Sequence, residues 1–265
     1  MRRNDEPRRL LILSIKKNSI ALVGFVFFFF GQASLSAASL NQDAALISKI
    51  DSLYFHRDQG ENLARSLKLI NSGLEKNPND AALLWRKGRD LERMGENQEK
   101  SKDKIRFFEK ARKILEDSIK IDSQSPDAHY WLGVTLGRIG QTRGILRSLF
   151  LLEPLRRQMR EALILDPHYE PAIHVLGEIY REIPRFVGGS IPKAIAHFKQ
   201  ARQMNPHDLV NLLSLGQAYQ DAGENAEALK VLNYALTVKN PADPGEAAEN
   251  RKDIQKVIQE IKSGT

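Results

Sequence analysis

Arginine, tryptophan and tyrosine side chains are the residues of this chain best suited to hold a ligand. Arg86, Arg89 and Arg93 are spaced so that they share one face of a predicted helix. Guanidinium groups arranged in this way could bind a carboxylate through charge-assisted hydrogen bonds. Trp85 precedes them, and the other tryptophan is Trp131. Because these residue types dominate interface hot spots, the sequence favours a binding surface over a reaction centre.

Motifs of catalysis or metal binding do not occur. The chain has no cysteine, which excludes disulfides, thiolate ligands and a cysteine nucleophile. Its six histidines form no His-x3-His pair, and there is no zincin or G-x-S-x-G motif. Gly188-Gly189-Ser190 lacks the Lys-Ser/Thr of a phosphate loop, so we interpret it as a turn with Ser190 capping the next helix. We predict a non-catalytic protein without a cofactor or metal.

A short recurring signature predicts the elements that carry these side chains. Leucine precedes glycine at Leu132-Gly133, Leu176-Gly177 and Leu215-Gly216, and each copy leads into an Asp-Pro or Asn-Pro loop. The small residue lets two antiparallel helices approach closely, and proline begins the next loop. This is the tetratricopeptide pattern. We predict an all-α solenoid of about 4–5 helix pairs over residues 39–262, closed by a capping helix.

The spacing of the repeats departs from the standard pattern. Gly88, Gly133, Gly177 and Gly216 are 45, 44 and 39 positions apart, whereas the standard repeat has about 34 residues. We expect the extra residues between the two helices of a unit, in 97–106, 140–154 and 183–190. The segment 144–160 is interpreted as a core helix, with a basic amphipathic helix against a membrane or partner as the alternative. Pro154 should kink or restart it.

Several motifs resemble a known family. The stretches His129–Gly133, Glu161–Pro167 and Leu176–Tyr180, with the insertion Phe186–Gly189, resemble the regulator-of-microtubule-dynamics type of tetratricopeptide protein. The irregular repeats are also similar to the exported T component of tripartite ATP-independent periplasmic transporters. The resemblance implies the fold, and it makes a transporter component a candidate partner. For an exported protein we do not expect a microtubule role.

Candidate binding residues follow from the family's convention that the first helix of each unit lines a concave groove. That convention places ten side chains in the groove: Trp85, Arg86, Arg89, Arg93, Tyr130, Trp131, Arg138, His174, Glu178 and Arg181. The fifth unit adds Leu213, Gln217 and Gln220. Two interpretations remain open. Either the groove binds a partner, or the tryptophans pack under the inserted segments while the arginines pair with Asp90, Glu92 or Glu96.

The first 38 residues have the organisation of a signal peptide. Six basic residues precede the apolar run Ile20–Phe30, small residues follow, and Ser36 and Ala38 suit cleavage after Ala38. An uncleaved anchor is the alternative, because about 20 apolar residues would span a bilayer. In both cases the array lies outside the cytoplasm, since positive charges stay inside. We predict a periplasmic or otherwise exported protein.

The net charge of the chain argues against a nucleic acid as partner. The formal charge of the 265 residues is +7, with 40 basic and 33 acidic groups. Residues 1–38 hold six of the basic and two of the acidic groups, so the remainder carries only +3. That balance is unlike the one-sided basic field of a nucleic-acid binder. Membrane contact is expected only through residues 1–38, if they are uncleaved.

Two functions are therefore considered. The first is an exported scaffold that gathers other proteins or peptides on the groove. The second is a transporter-associated accessory that binds or hands on a small apolar or acidic ligand. The scaffold requires an open, partly exposed aromatic surface. The accessory requires an enclosed cavity of roughly 300–1,000 Å³.

Overall fold

The protein is helical throughout the residues that the computed structural model describes, 42–264. The predicted export signal lies outside this range. The chain divides after Leu46 into two units. Only the start of α1 is described in the first, and the rest of α1 and all later helices belong to the unit that begins at Ile47. The helices are α1 (42–55), α2 (Asn62–Lys76), α3 (Ala81–Glu96), α4 (Ser101–Ile121), α5 (Pro126–Arg143), α6 (Ile145–Leu165), α7 (Glu170–Glu182), α8 (Ile191–Met204), α9 (Leu209–Asp221), α10 (Asn225–Thr237) and α11 (Ala247–Ser263).

Polar side chains fix where several helices begin. Asp80, Ser125, Ser190 and Asp208 each accept a hydrogen bond from a backbone N–H in the first turn of the helix that follows. Ser190 does so from Lys193 at 3.5 Å, which confirms the predicted cap. Such a cap satisfies one of the donors that a helix N-terminus leaves without an intrahelical partner.

Glycine on the first helix of a pair allows the second helix to approach. A Cβ added to Gly177 would lie 2.6 Å from the ring of Phe198, and one added to Gly216 would lie 2.4 Å from Leu232. Both partners are fully buried. The same relationship holds for Gly88 with Leu115 and for Gly133 with Met159. The predicted role of the small residue is confirmed.

The pairs stack into two layers. The first helices α3, α5, α7 and α9 contact one another in turn, while α4, α6, α8 and α10 pack behind them as their pair partners. Apolar side chains fill the space between the layers. A polar link crosses the core where Asn211 donates to the carbonyl oxygen of Phe198 at 3.0 Å. Its amide oxygen lies 3.2 Å from Nδ1 of His174.

Most of the extra length of the repeats lies inside helices. α4 begins after a connection of only residues 97–100, and α4 and α6 have 21 residues each. Gly144 alone separates α5 from α6. Only 183–190 forms an inserted loop, with a short 3-10 turn at Arg185–Val187. Two of the three expected insertions, 97–106 and 140–154, are therefore not separate segments, because most of their residues belong to the helices α4, α5 and α6.

Helix α6 continues through Pro154 instead of restarting there. Pro154 has no N–H to donate to the carbonyl of Phe150, and the helix nevertheless continues on both sides of it. Met159 and Ala162 in the second half are fully buried, whereas Phe150 in the first half is 77% exposed. The core interpretation therefore holds for the second half of α6.

Residues 240–246, which we call the closing segment, lead from α10 to α11 and lie against the end of α1. Arg57 donates to both carboxylate oxygens of Asp243, at 3.0 and 2.6 Å. The same guanidinium lies 3.0 Å from Glu246, and its side chain is only 4% exposed. After this segment α11 packs on α9 and α10 as the predicted capping helix. The first and last repeats of the array are in direct contact.

Candidate functional site

A cleft of about 1200 Å³ lies on the layer of first helices. Residues of α1, α3, α5, α7 and α9 line it, together with the first half of α6 and the closing segment. It contains nine of the ten predicted groove residues; the exception is Arg181. Arg181 pairs instead with Glu178 at 3.2 Å and with Glu182 at 2.6 Å.

The prediction was also wrong for the part of α9 that reaches the cleft. Val210 and Ser214 line it, whereas the predicted Leu213, Gln217 and Gln220 do not. The cleft reaches only the first half of α9, and Gln217 and Gln220 lie further along the helix, beyond it. Leu213 packs instead against the apolar core formed by α8 to α11.

Four aromatic side chains form a continuous row in the cleft, which we call the aromatic row. The rings of Tyr54 and Trp131 meet edge to face at 6.0 Å, and those of Trp131 and Tyr130 at 5.2 Å. Tyr169 extends the row at 5.6 Å from Tyr130 and donates through Oη to Asp127 at 2.7 Å. Burial raises the pKa of Tyr54 to about 12, so its phenol is neutral at physiological pH. The row offers large apolar faces with polar tips, as protein interfaces do.

Two of the three predicted arginines already hold a carboxylate, and it belongs to the chain itself. Arg86 donates to both oxygens of Asp51 at 2.9 and 2.7 Å, and Arg89 donates to one of them at 2.8 Å. Burial raises the pKa of Asp51, but the hydrogen bonds from the two arginines outweigh it and hold that pKa below its usual range. α1 therefore occupies the place that we assigned to a ligand.

A second ion-pair network joins α3, α5 and the closing segment. Arg93 lies 2.5 Å from Glu246 and also pairs with Glu96, which in turn pairs with Arg138. Burial alone would raise the pKa of Glu246, but Arg93 and then Arg57 outweigh burial and hold that pKa below its usual value. The carboxyl therefore stays ionised. Glu92 lies beneath this network with its Oε1 at 3.4 Å from Arg138. Burial, and then the neighbouring Glu96, raise the pKa of Glu92 to about 7.

Trp85 is covered by the arginines. The guanidinium carbons of Arg86 and Arg89 lie 4.1 and 5.4 Å from its ring centroid, and only 9% of the residue is exposed. Arg89 also stacks on Tyr54, at 3.8 Å from the ring centroid. The interpretation in which the groove is filled by the chain itself holds for the α3 side, although arginines paired with α1, and not an inserted segment, cover Trp85. Partner binding stays a prediction for the other side. The α3 side is filled by the chain's own α1, and the α5–α9 side remains open with Tyr130 and Trp131 only partly buried.

The open side is acidic. Eight carboxylate side chains line the cleft against four arginines, and each of those arginines pairs with a carboxylate of the same chain. Asp127, Glu178, Glu182 and Asp208, which we call the acidic side, face the cleft from α5, α7 and the start of α9. Glu170 lies beside Asp208, and burial and then Asp208 raise the pKa of Glu170 to about 8.

Comparison with known proteins assigns the family. A sequence model of the family described as regulator of microtubule dynamics protein 1-3 matches residues 46–185 and 179–262. The chain belongs to this family. Regulator of microtubule dynamics protein 2 of Homo sapiens is 24% identical over 240 residues, covering 84% of this chain and 57% of the relative. Protein 3 of Rattus norvegicus is 20% identical over 237 residues, covering 83% and 50%. The chain thus spans about half the length of these curated relatives.

Among solved structures, a thermophilic TPR protein of Thermus thermophilus resembles this chain with a TM-score of 0.59 and 18% identity. The similarity covers 75% of this chain and 91% of that one, and it supports the tetratricopeptide fold. The family match includes every residue that lines the cleft. The two curated relatives are named as regulators, not as enzymes. No helix among residues 42–264 is long and apolar enough to cross a membrane.

Proposed function

We propose that this chain is a non-catalytic scaffold that docks a peptide segment of a partner protein in the open side of the cleft. The observation that carries the proposal is the aromatic row, because Trp and Tyr anchors of this kind supply most of the binding energy at interfaces. The cleft, at about 1200 Å³, exceeds the roughly 300–1,000 Å³ usual for small-molecule pockets. The tetratricopeptide fold itself supports a protein-interaction role.

A ligand-handling accessory is the second candidate. Its supporting observation is the group of aliphatic side chains Leu151, Leu155 and Val175, which line the cleft beside the aromatic row. An acidic ligand has less support than an apolar one, because Asp51 already neutralises the arginines. A transporter component as partner rests on the resemblance of the repeats alone.

We also propose export, on the basis of residues 1–38. If the proposal holds, amino-terminal sequencing of the protein from an envelope or periplasmic fraction will begin at Ser39. A start at Met1 in a membrane fraction would show an anchor instead. The microtubule-related activity in the relatives' names belongs to proteins about twice as long, and we do not extend it to this chain.

A photo-crosslinking experiment tests the docking proposal. Benzoylphenylalanine is placed at Gln141, an exposed residue at the cleft, and in a matched variant at Lys113, an exposed residue of α4. We expect protein adducts from Gln141 that are absent from Lys113 and weakened by Trp131→Ala in a variant with unchanged circular dichroism. Equal adducts from both positions, or none from Gln141, would remove docking in the cleft.

A further inference from the structure

The charge of the cleft specifies what kind of segment it takes. Resting on the docking function proposed above, we infer that the docked segment is basic: its lysine or arginine side chains meet the acidic side, and an apolar side chain packs on the aromatic row. This is opposite in sign to the acidic ligand that the arginine spacing alone suggests.

The first step is that each arginine lining the cleft already pairs with a carboxylate of the same chain, although Arg89 Nη2 and Arg93 Nε have no hydrogen-bond partner in the described part of the chain. Arg86 and Arg89 share Asp51, and Arg89 also contacts Asp90 at 3.0 Å. Arg93 is held between Glu96 and Glu246, and Arg138 pairs with Glu96. An anionic ligand would have to break these pairs. Breaking a buried pair leaves an uncompensated charge, which is strongly unfavourable.

The second step is that two of the four carboxylates of the acidic side, those of Asp127 and Asp208, lack cationic partners. Asp127 accepts from the phenol of Tyr169, and Asp208 accepts from two backbone N–H groups of α9. Both contacts are with neutral donors, and no ion pair reaches either carboxylate among residues 42–264. Glu178 and Glu182 share Arg181 as their cationic partner. Asp127 and Asp208 therefore project an uncompensated negative potential into the cleft, which attracts and orients a cationic segment.

The third step is independent of the exposed carboxylates. Glu92 is fully buried, lines the cleft, and has an Oε2 atom without a hydrogen-bond partner in the described part of the chain. Oε1 of Glu170, a residue that is 9% exposed, also has no hydrogen-bond partner in the described part of the chain. Buried polar atoms are normally paired, and burial, then the neighbouring Glu96, raise the pKa of Glu92 to about 7 because an unpaired carboxylate is costly. A positive charge docked above Glu92 favours its ionised form, even without direct contact, because the field is weakly screened there.

These buried carboxylates converge on one residue of the aromatic row. Burial, then Tyr54, and then Glu92, Asp208 and Glu170 raise the pKa of Tyr130 above its usual value. The phenol of Tyr130 thus marks the point where the apolar surface and the negative field coincide. A segment with an apolar residue next to a lysine or arginine satisfies both at once.

The inference is tested with the full-length chain and fluorescein-labelled peptides that share one apolar frame of Leu, Phe and Gly. The peptides carry lysine, serine or glutamate at the same positions, and binding is followed by fluorescence anisotropy. We expect the lysine peptide to bind roughly tenfold more tightly than the serine peptide at low salt, with the advantage shrinking as salt is added. The glutamate peptide should bind most weakly.

Two variants with the same change in net charge locate the effect. The double variant Asp127→Asn, Asp208→Asn neutralises the two unpaired carboxylates of the acidic side, and asparagine at 208 can still cap α9; it should bring the lysine peptide to the affinity of the serine peptide. The control Glu99→Gln, Asp253→Asn neutralises two exposed carboxylates away from the cleft and should keep the preference. Equal loss in both variants would show that net charge alone is responsible, and the inference would be wrong.

The outcomes separate this inference from the proposal beneath it. If the serine or glutamate peptide binds as tightly as the lysine peptide, the inference falls and docking survives. If no peptide binds, the inference falls as well. The adducts formed from Gln141 then decide by themselves whether any protein docks in the cleft.

Discussion

Arg57 and Asp243 are 186 positions apart in the sequence and form a two-point ion pair, with N–O distances of 3.0 and 2.6 Å. Glu246 joins the same guanidinium and extends the contact to Arg93 on α3. α1 is therefore held at two places, by the closing segment at Arg57 and by Arg86 and Arg89 at Asp51. This double attachment explains why part of the concave surface is filled by the chain itself.

Removing the guanidinium should release the closing segment. We expect Arg57→Ala to lower the free energy of unfolding by about 2 kcal/mol, because two carboxylates lose their common partner while Asp243 keeps contact with water. Hydrogen exchange should accelerate in residues 240–246 and at the end of α1, and urea unfolding gives the energy. Arg185→Ala, which removes an exposed arginine, is the control. Unchanged exchange in 240–246 would show that other contacts hold the segment.

Removing Asp51 should reverse the charge preference of the α3 side. In Asp51→Ala the guanidinium groups of Arg86 and Arg89 lose their shared acceptor and become available to an anion. We expect the glutamate peptide to gain roughly fivefold in affinity, measured by the same anisotropy assay. Asp221→Ala changes the net charge equally but lies outside the cleft, and it should leave the affinity unaltered. No gain for the glutamate peptide would mean that α1 still blocks these arginines.

Glu92 should make stability depend on pH. Its pKa is raised to about 7 in the folded protein, so the folded state binds more protons than the unfolded state between about pH 4.5 and 7. The contribution of Glu92 is therefore fully present below pH 4.5 and is lost as pH rises towards 7. Glu92→Gln cannot ionise. As the pH rises through that window, its free energy of unfolding should therefore increase relative to that of the wild type by up to about 1.4 kcal/mol per pH unit.

Urea unfolding of both proteins at a series of pH values measures this difference, and the gap should stop growing above pH 7. Glu99→Gln, at an exposed position, should follow the wild type at every pH. A constant gap between Glu92→Gln and the wild type across the window would contradict the prediction.

Glycine replacements should differ according to what the new methyl group meets. In Gly177→Ala it would lie 2.6 Å from the buried ring of Phe198, whereas in Gly133→Ala it meets the terminal methyl of Met159, which is flexible. Overpacking costs about 1–3 kcal/mol, and alanine recovers up to about 1 kcal/mol of helix propensity. We expect Gly177→Ala to lower the melting temperature clearly and Gly133→Ala to leave it nearly unchanged. The reverse order would disprove the packing argument.

The repeat architecture could be predicted because its determinants are local. The Leu-Gly signature, the Asn-Pro or Asp-Pro loop and the cap at Ser190 each act within a few residues, so the helix pairs follow from them. The cleft-lining face of α3, α5 and α7 could be predicted for the same reason. On α9 the prediction was wrong because the cleft reaches only the first half of that helix and Leu213 packs into the neighbouring core, which depends on how the repeats stack.

The role of α1 could not be read from the sequence. Its Asp51 meets Arg86 and Arg89 across 35 and 38 positions, and no repeat signature precedes residue 61 to mark it as a helix of the array. The spacing of Asp51 and Tyr54 on one helical face was the only available signal. Because these pairings are distant in the sequence, the spacing of the arginines alone could not show that a carboxylate of the same chain already holds Arg86 and Arg89.

The contact between Arg57 and the closing segment also limits how this chain can evolve. In an open solenoid each repeat contacts only its neighbours, so units can be duplicated or lost with little effect on the others. Here one additional unit would carry Asp243 away from Arg57 and leave the buried guanidinium unpaired. The number of helix pairs is therefore tied to the stability of the array, because inserting or deleting a unit would separate Arg57 from Asp243.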